Sequence, residues 1–290
     1  MQVVPTTSRA SLTPFEDAVD RLELAVATPA VVQKLLAVLG DPRSTTRDVE
    51  AALQGDPALV TRLLKLASSA AYARRPVRDL RAAIQLVGLH ELRKLAVTAH
   101  FARGGDAFAR ELWAYALAVA FACERLSTAA GDGRGSEAFL AGLLHDIGTL
   151  VMPRLLGPAY VKLAIVPGDD RQCELERETF GFDHADLGAM TAARWNLFPE
   201  LELVAQLHHD PIAARFLALP TPTVALIELV ALARLGFLAT SAAVTDGLPA
   251  NDELMAELAT RRGLSIEAVC VHAQEARAQT TVVLGALTAA

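Results

Sequence analysis

The sequence predicts an all-α protein, and three observations lead to this prediction. Hydrophobic residues make up 52% of the 290 residues while aromatic residues make up only 5%, and the apolar share comes mostly from Ala, Leu and Val. Ala and Leu favour helices, and small side chains let helices pack closely. Apolar residues also recur at helical spacing along almost the whole chain, whereas alternating β-branched runs flanked by hairpin turns do not occur in the sequence.

The first helices are predicted from capping residues, prolines and apolar spacing. One begins near Pro14, and a second begins at Thr28 and Pro29, where a capping hydroxyl precedes a proline, and ends at Gly40. The segments "STTRDVEAALQGD" and "DPALVTRLLKLASSAAY" predict two more helices. The segments "VRDLRAAIQLVG" and "LHELRKLAVTAHFA" then predict a pair of helices separated at Gly88.

The second half of the chain predicts a long helix followed by several shorter ones. The long helix runs from about Ala107 to Ala129, and "GDGRGSE" breaks the chain before a single buried helix over "AFLAGLLHDIGTLVMPRLLG". Further helices are predicted near Ala159, over "DRQCELERETFG", "DHADLGAMTAARWN" and "PELELVAQLHH", and at 223–238. A more polar last pair follows "TDGLPAND" and ends near Leu287.

Composition narrows the partners and the compartment. The formal net charge of -6 provides no basic field for phosphate binding, and the helix-glycine-helix segment "AAIQLVGLHELRKL" has few basic residues, so no nucleic acid partner is expected. The cysteines Cys123, Cys173 and Cys270 are odd in number and contain no C-x-x-C pair, which favours a reducing cytoplasm. No secretory signal is recognisable, and the apolar runs at Leu112 and Thr223 fall short of the ~20 residues that span a bilayer, so no membrane partner is expected.

Five polar residues are the candidates for a metal site. His145 and Asp146 are adjacent in the apolar segment "LLHDIGTL", His184 follows in "FDHADLG", and His208 and His209 are adjacent at the end of a later predicted helix. Imidazole together with carboxylate suits Fe, Mn or Zn. A cluster of two such ions could polarise a phosphoryl oxygen and activate water, which makes phosphate hydrolysis one candidate activity.

The same residues also have a structural interpretation. The carboxylate of Asp146 can orient His145 or cap a neighbouring helix, because buried polar groups need hydrogen-bond partners. His208 and His209 lie about 100° apart on a helix, so one is expected to face the centre and the other solvent.

The aspartates on either side of His184 have a structural interpretation as helix caps. Asp183 can cap the helix that begins here, and Asp186 can reach back in a capping box. Capping explains both aspartates but leaves the histidine between them unexplained.

Several ordered motifs give the chain a resemblance to a known family. The segment "GLLHDIGTLV", with "LWAYALAVA" before it and "FGFDHADLGAMTAARWNLFPELELVAQLHHDP" after it, resembles the HDOD domain, an output domain of bacterial signalling proteins that is related to HD and HD-GYP phosphohydrolases. The helical opening that begins "TPAVVQKLLAVLGDP" also matches this family, and the resemblance covers roughly residues 20 to 215. It implies an HD-like multi-helix bundle.

The chain departs from the pattern of the related hydrolases at four places. Tyr115 stands where the resemblance implies a first metal-ligating histidine, and Leu232 is the best match to a late ligating aspartate. Thr149 replaces a lysine that could meet a phosphate, and "HHDPIAARF" lacks the glycine-tyrosine-proline signature of cyclic-di-GMP phosphodiesterases. These departures favour a loss of catalysis.

The resemblance therefore implies a non-catalytic, cytoplasmic, bacterial signalling module that acts through protein partners, with a nucleotide second messenger as the other partner class. Its expected organisation is a tail over 1–13, an HDOD domain over 14–216 divided into 14–105 and 106–216, and a helical extension over 217–290. The alternatives are a nucleotide-sensing domain and a metal-dependent nucleotide or cyclic-dinucleotide phosphodiesterase. In the latter, Glu178 or another nearby acid would replace a missing ligand.

Overall fold

The computed structural model describes residues 15–19, 38, 43–53, 63–64, 67, 77, 79–101, 107–163, 171–194, 199–240 and 252–288. All regular elements within these ranges are helical, so the all-α prediction is confirmed. The chain divides into two compact units, one made of Met1–Ala25 with Ala114–Thr280 and the other of Val26–Trp113 with Thr281–Ala290.

The described part of the smaller unit contains α1 (Thr46–Leu53) and α2 (Leu80–Phe101). Asp48 supports the start of α1, since its carboxylate accepts hydrogen bonds from both the backbone N–H (2.8 Å) and the hydroxyl (2.6 Å) of Thr45. The non-helical φ and ψ of Gly88 kink α2, which confirms the predicted separation into two helices. The helices predicted over residues 29–40 and 56–72 fall largely outside the described residues.

The larger unit carries the remaining elements apart from residues 107–113 and 281–288, which belong to the smaller unit, and the bounds of these elements agree with most of the predicted helices. The long helix α3 spans the predicted Ala107–Ala129, and the last two helices follow "TDGLPAND" as predicted. The bounds are α3 Ala107–Ala129, α4 Gly135–Leu144, α5 Ile147–Leu156, α6 Pro158–Val161, α7 Arg171–Phe180, α8 His184–Arg194, α9 Pro199–Leu207, a 3-10 helix Ala213–Phe216, α10 Thr221–Ala239, α11 Asp252–Arg261 and α12 Ile266–Thr288.

Helix α10 forms the core of the larger unit. Its residues are buried continuously from Leu226 to Gly236, as expected of a helix that is apolar on nearly every side. The buried carboxylate of Glu228 is compensated by Arg261, whose Nε lies 2.7 Å away, and by Arg215 at 3.4 Å.

Two described helical stretches are long and apolar enough to cross a membrane by length and composition, Glu137–Leu156 and Thr221–Ala239. The second has 19 residues, which is longer than the sequence indicated. In each stretch 67% of the apolar window is buried inside the protein, as in the core helices of a soluble protein.

The helix predicted over "AFLAGLLHDIGTLVMPRLLG" is interrupted at the histidine-aspartate pair, and the prediction of one continuous helix is wrong. Helix α4 ends at Leu144 and α5 begins at Ile147, with Asp146 at a non-helical φ of -107° and ψ of 30°. The interruption lets His145 and Asp146 point in different directions from a buried site.

Gly148 allows the start of α5 to contact the start of α8. A Cβ atom at this position would lie 1.9 Å from the carbonyl oxygen of His184 and 2.8 Å from the backbone nitrogen of Gly188. Real Cβ atoms do not approach backbone atoms so closely, so only glycine permits this contact. The glycine of "HDIG" therefore brings Asp146 to His184.

We expect Gly148→Ala to lower the free energy of unfolding by about 3 kcal/mol, because the new methyl group must push α5 away from α8. Gly135→Ala is the matched control, since the nearest atom to its new Cβ would lie at 3.5 Å and the change would alter stability by less than about 1 kcal/mol. Urea unfolding of both variants measures the difference. Equal stabilities of the two variants would show that the two helices are not in this contact.

Candidate metal centre

The five candidate residues meet within the larger unit. His145 and Asp146 occupy the break between α4 and α5, His184 is the first residue of α8, and His208 and His209 follow α9 directly. The ring centroids of His145 and His208 lie 5.0 Å apart, those of His184 and His209 lie 4.9 Å apart, and those of His208 and His209 lie 4.2 Å apart. Three separate chain segments thus bring their polar groups to one place.

His208 and His209 are not arranged as the sequence predicted. Helix α9 ends at Leu207, so the 100° separation of helical neighbours does not apply to them. Both rings face the centre: His208 is buried, while His209 is half-buried and its Nε2 lies 3.0 Å from Nε2 of His184.

His145 and His208 are held in the same tautomer. Nδ1 of His145 donates a hydrogen bond to the carbonyl oxygen of Gly142 (2.7 Å), and Nδ1 of His208 donates to that of Ala205 (2.8 Å), because a carbonyl oxygen can only accept. The Nε2 atom of each ring is buried without a hydrogen-bond partner. Burial lowers the pKa of both imidazoles, so both are neutral and offer a lone pair to an ion.

His184 is anchored by Glu176 of α7. One carboxylate oxygen of Glu176 accepts hydrogen bonds from Nδ1 and from the backbone N–H of His184, both at 2.7 Å. The other oxygen accepts from the hydroxyl of Tyr160 (2.7 Å) and from Nε2 of Gln172 (2.8 Å). Burial acts to raise the pKa of Glu176, but the charge of His184 and these hydrogen bonds outweigh it, so the pKa lies below its ordinary value.

The Nε2 atom of His184, which contacts His209, also faces negative charge. This nitrogen lies 3.6 Å from a carboxylate oxygen of Asp146. Burial acts to lower the pKa of His184, but the carboxylates of Asp146 and Glu176 outweigh it and raise the pKa to about 9. The centre therefore stabilises one positive charge, supplied by a proton or by a metal ion.

Thr149 positions the carboxylate of Asp146. The Thr149 hydroxyl donates a hydrogen bond to Asp146 and accepts one from Nε2 of Gln172 (3.1 Å). Gln172 thus links the carboxylates of Asp146 and Glu176, since it also donates to Glu176. Thr149, which stands where the related hydrolases have a lysine, therefore holds the carboxylate of Asp146 in place.

The donor set fits a single divalent ion. Ligand atoms of Asp146, His184 and His208 lie within 4.8 Å of one another, and the unpartnered Nε2 of His208 is one of the polar atoms that an ion would satisfy. The Glu176–His184 pair supplies the outer carboxylate that orients metal-bound histidines. Fe, Mn or Zn suits such donors, as expected from the sequence.

Two of the four positions that depart from the hydrolase pattern hold residues that pack in the core. The ring of Tyr115 packs against His145, with 5.6 Å between centroids, and against Phe237 at 5.1 Å. Leu232 is fully buried on α10. Neither side chain supplies a carboxylate or imidazole to the centre.

Sequence reasoning missed two charged residues of the centre. Glu178, the expected replacement acid, is exposed on α7, and the buried acid is Glu176. Arg234 is buried on α10, and its charge contributes to lowering the pKa of His145, His208 and His209, where burial is the largest cause. A basic residue inside the apolar run "ELVALARLG" was the sequence signal for Arg234.

The model of the HDOD domain family matches residues 26–211. The chain belongs to the HDOD family. A relative from Treponema pallidum (strain Nichols), described as an uncharacterized protein, is 27% identical to this HDOD protein over 198 residues. That match covers 66% of this chain and 39% of the relative, so the chain spans well under half of the relative's length.

Solved structures support the same fold. A candidate phosphohydrolase from Shewanella amazonensis SB2B is 26% identical, with a TM-score of 0.66, and the match covers 96% of this chain and 98% of that one. A candidate signal transduction protein from Marinobacter aquaeolei VT8 is 21% identical, with a TM-score of 0.70, and the match covers 99% of this chain and 68% of that one. An HDOD domain protein of unknown function from Geobacter sulfurreducens is 19% identical, with a TM-score of 0.64 and coverage of 94% and 97%.

We expect the stability of the metal-free protein to fall as the pH rises from about 6.5 to 9. The pKa of His184 is raised from 6.5 to about 9 in the folded state, so its stabilising contribution is complete below the unfolded pKa and is lost as the pH passes the folded pKa, by at most about 3 kcal/mol. Glu176→Gln should lower the pKa of His184 and flatten this part of the profile.

Glu178→Gln is the matched control for this prediction, because Glu178 lies two residues along α7 and is exposed. Urea unfolding between pH 6 and 9.5, combined with an NMR titration of His184, measures both quantities. A Glu176→Gln profile as steep as that of the control variant would contradict the assigned role of Glu176.

Proposed function

We propose that the protein is a non-catalytic signal-transduction module of the HDOD family, which acts through contacts with signalling protein partners. The observation that carries this proposal is that the polar centre is closed to solvent and carries a buried positive charge that opposes a second metal ion.

The candidate ligands are almost completely removed from solvent. Exposure is 1% for His145, 7% for Asp146, 1% for His184 and 1% for His208. A catalytic metal site keeps an open coordination position for water or substrate, whereas a structural site is closed. The burial of four of the five candidates supports a closed centre that maintains the fold.

The charge of the centre opposes a pair of metal ions. Arg234 is buried on α10 and is close enough to act electrostatically on three histidines of the cluster. A fixed guanidinium repels a second cation strongly in a poorly solvated site. Leu232, two residues earlier, provides no carboxylate to bridge two ions. These features support at most one ion, whereas the clamping of attacking and leaving oxygens by paired ions requires two.

A metal-dependent phosphohydrolase acting on a nucleotide or a cyclic dinucleotide is the second candidate function. The orientation of the histidines favours it, because His145, His184 and His208 each bind a protein oxygen through Nδ1 and leave Nε2 toward the cluster. A bound metal would supply Lewis-acid polarisation of a phosphoryl oxygen. Asp146, His184 and His208 would hold it, with Glu176 and Thr149 fixing their orientation. For this activity the centre would have to open to solvent so that the nucleotide could enter. A nucleotide-sensing domain would need the same opening.

We expect no hydrolysis of bis-p-nitrophenyl phosphate, cyclic mononucleotides or cyclic dinucleotides above the rate of a His184→Ala variant, with Mn²⁺ or Fe²⁺ present. The reason is that a phosphodiester cannot reach the sealed centre. An active HD-superfamily phosphodiesterase serves as the positive control.

When the protein is crosslinked in its own cells and then purified, a protein partner should be recovered with it. An Asp146→Asn variant that folds normally should recover the same partner. Metal-dependent turnover that disappears in His184→Ala would overturn the proposal in favour of the phosphohydrolase. Failure of any protein to crosslink would favour the nucleotide-sensing alternative.

A further inference from the structure

The buried face of α7 presents a cysteine beside the histidine cluster. Gln172, Cys173 and Glu176 are the buried residues of this otherwise exposed helix. The sulfur of Cys173 and one ligand nitrogen each of His184 and His209 lie within 4.8 Å of one another.

We propose that Cys173, His184 and His209 form a binding site for one thiophilic divalent cation of the Zn²⁺ class. The site differs from the group of Asp146, His184 and His208 in two of its three ligands. The proposed site does not depend on the proposed function, because both a catalytic and a regulatory protein could bind an ion in this way.

The two imidazoles are already near the separation that a shared ion requires. Nε2 of His184 and Nε2 of His209 lie 3.0 Å apart. Two nitrogens bound to a tetrahedral Zn²⁺ at about 2.0–2.1 Å lie roughly 3.4 Å from each other, so a shift of a few tenths of an ångström admits the ion. The carboxylate of Glu176 fixes the ring of His184 from the opposite side, through Nδ1 at 2.7 Å.

The charge around the thiol favours a cation. The carboxylates of Asp183, Glu176 and Asp146 are close enough to Cys173 to act electrostatically on its sulfur. An ion between Cys173 and the histidines would be stabilised by these charges and would hold the sulfur as a thiolate. Two positive charges oppose them: Arg177, which is paired with Asp183, also acts on Cys173, and Arg234 acts on His209. The carboxylates of Glu176 and Asp146 are the remaining negative charge near the sulfur.

Ligand softness and access favour this set over the group that contains Asp146. Thiolate selects Zn²⁺ over Mn²⁺ or Mg²⁺, which prefer carboxylate and water. His209 is half-buried, while His208 is 1% exposed, so an ion reaches the Cys173 set with less rearrangement. His184 belongs to both sets, and one ion therefore occupies one set at a time.

Cobalt substitution of the metal-free, full-length protein tests the proposal, because Co²⁺ bound to a thiolate gives a charge-transfer absorption in the near ultraviolet. We expect the wild-type protein to bind one Co²⁺ with this absorption and to release it to Zn²⁺. Cys173→Ser should lose the absorption and bind Co²⁺ at least tenfold more weakly. Cys270→Ser is the matched control, and both it and Asp146→Asn should keep the absorption.

Three outcomes would overturn the proposal: no Co²⁺ binding by the wild-type protein, bound Co²⁺ without the absorption, or an absorption that persists in Cys173→Ser. The wild-type spectrum decides the first two even if the serine variant does not fold, and Cys173→Ala provides a second variant for the third. Circular dichroism checks the fold of each variant. Hydrolysis is not among the readouts, so this result is separate from the test of the proposed function.

Discussion

The buried pair of Glu176 and His184 is the interaction on which the polar centre depends. Both side chains are removed from water, a large cost that is offset because each carries the other's counter-charge and the remaining carboxylate oxygen is satisfied by Tyr160 and Gln172. The pair joins α7 to α8 and fixes the direction of Nε2 of His184. Every candidate ligand set in the described residues includes that histidine.

Backbone geometry also determines how the side chains of the polar centre are placed. The break between α4 and α5 sends His145 toward His208, while Asp146 faces His184, and the contact at Gly148 sets the distance between the two helix starts. The "HDIG" segment therefore acts through its glycine as much as through its polar residues. Its threonine neighbour, Thr149, completes the support of the carboxylate.

The helical fold was predictable because Ala-rich and Leu-rich segments with clear caps leave little choice of secondary structure. The family motif pointed to five polar residues that the fold brings close together. The outer residues of the centre were harder to predict. Glu176 lies on a different helix from His184, and its only sequence signal was the four-residue spacing from Gln172 within a charged segment. The end of α9 before His208 could have been expected from Pro211, since a proline often stands a few residues beyond the end of a helix. The break at His145 and Asp146 follows Leu143 and Leu144 directly, with no glycine or proline at the break itself, so it could not be expected in the same way.

The central claim is that this HDOD protein has a histidine-rich centre able to hold one cation. The buried arginine beside this centre would repel a second cation. An X-ray structure of protein purified without chelator, with anomalous data collected at the Fe, Mn and Zn edges, tests this claim most directly. The account predicts at most one ion, bonded to Nε2 of His184, with the guanidinium of Arg234 remaining beside the histidines. Two ions bridged by the carboxylate of Asp146 would contradict it.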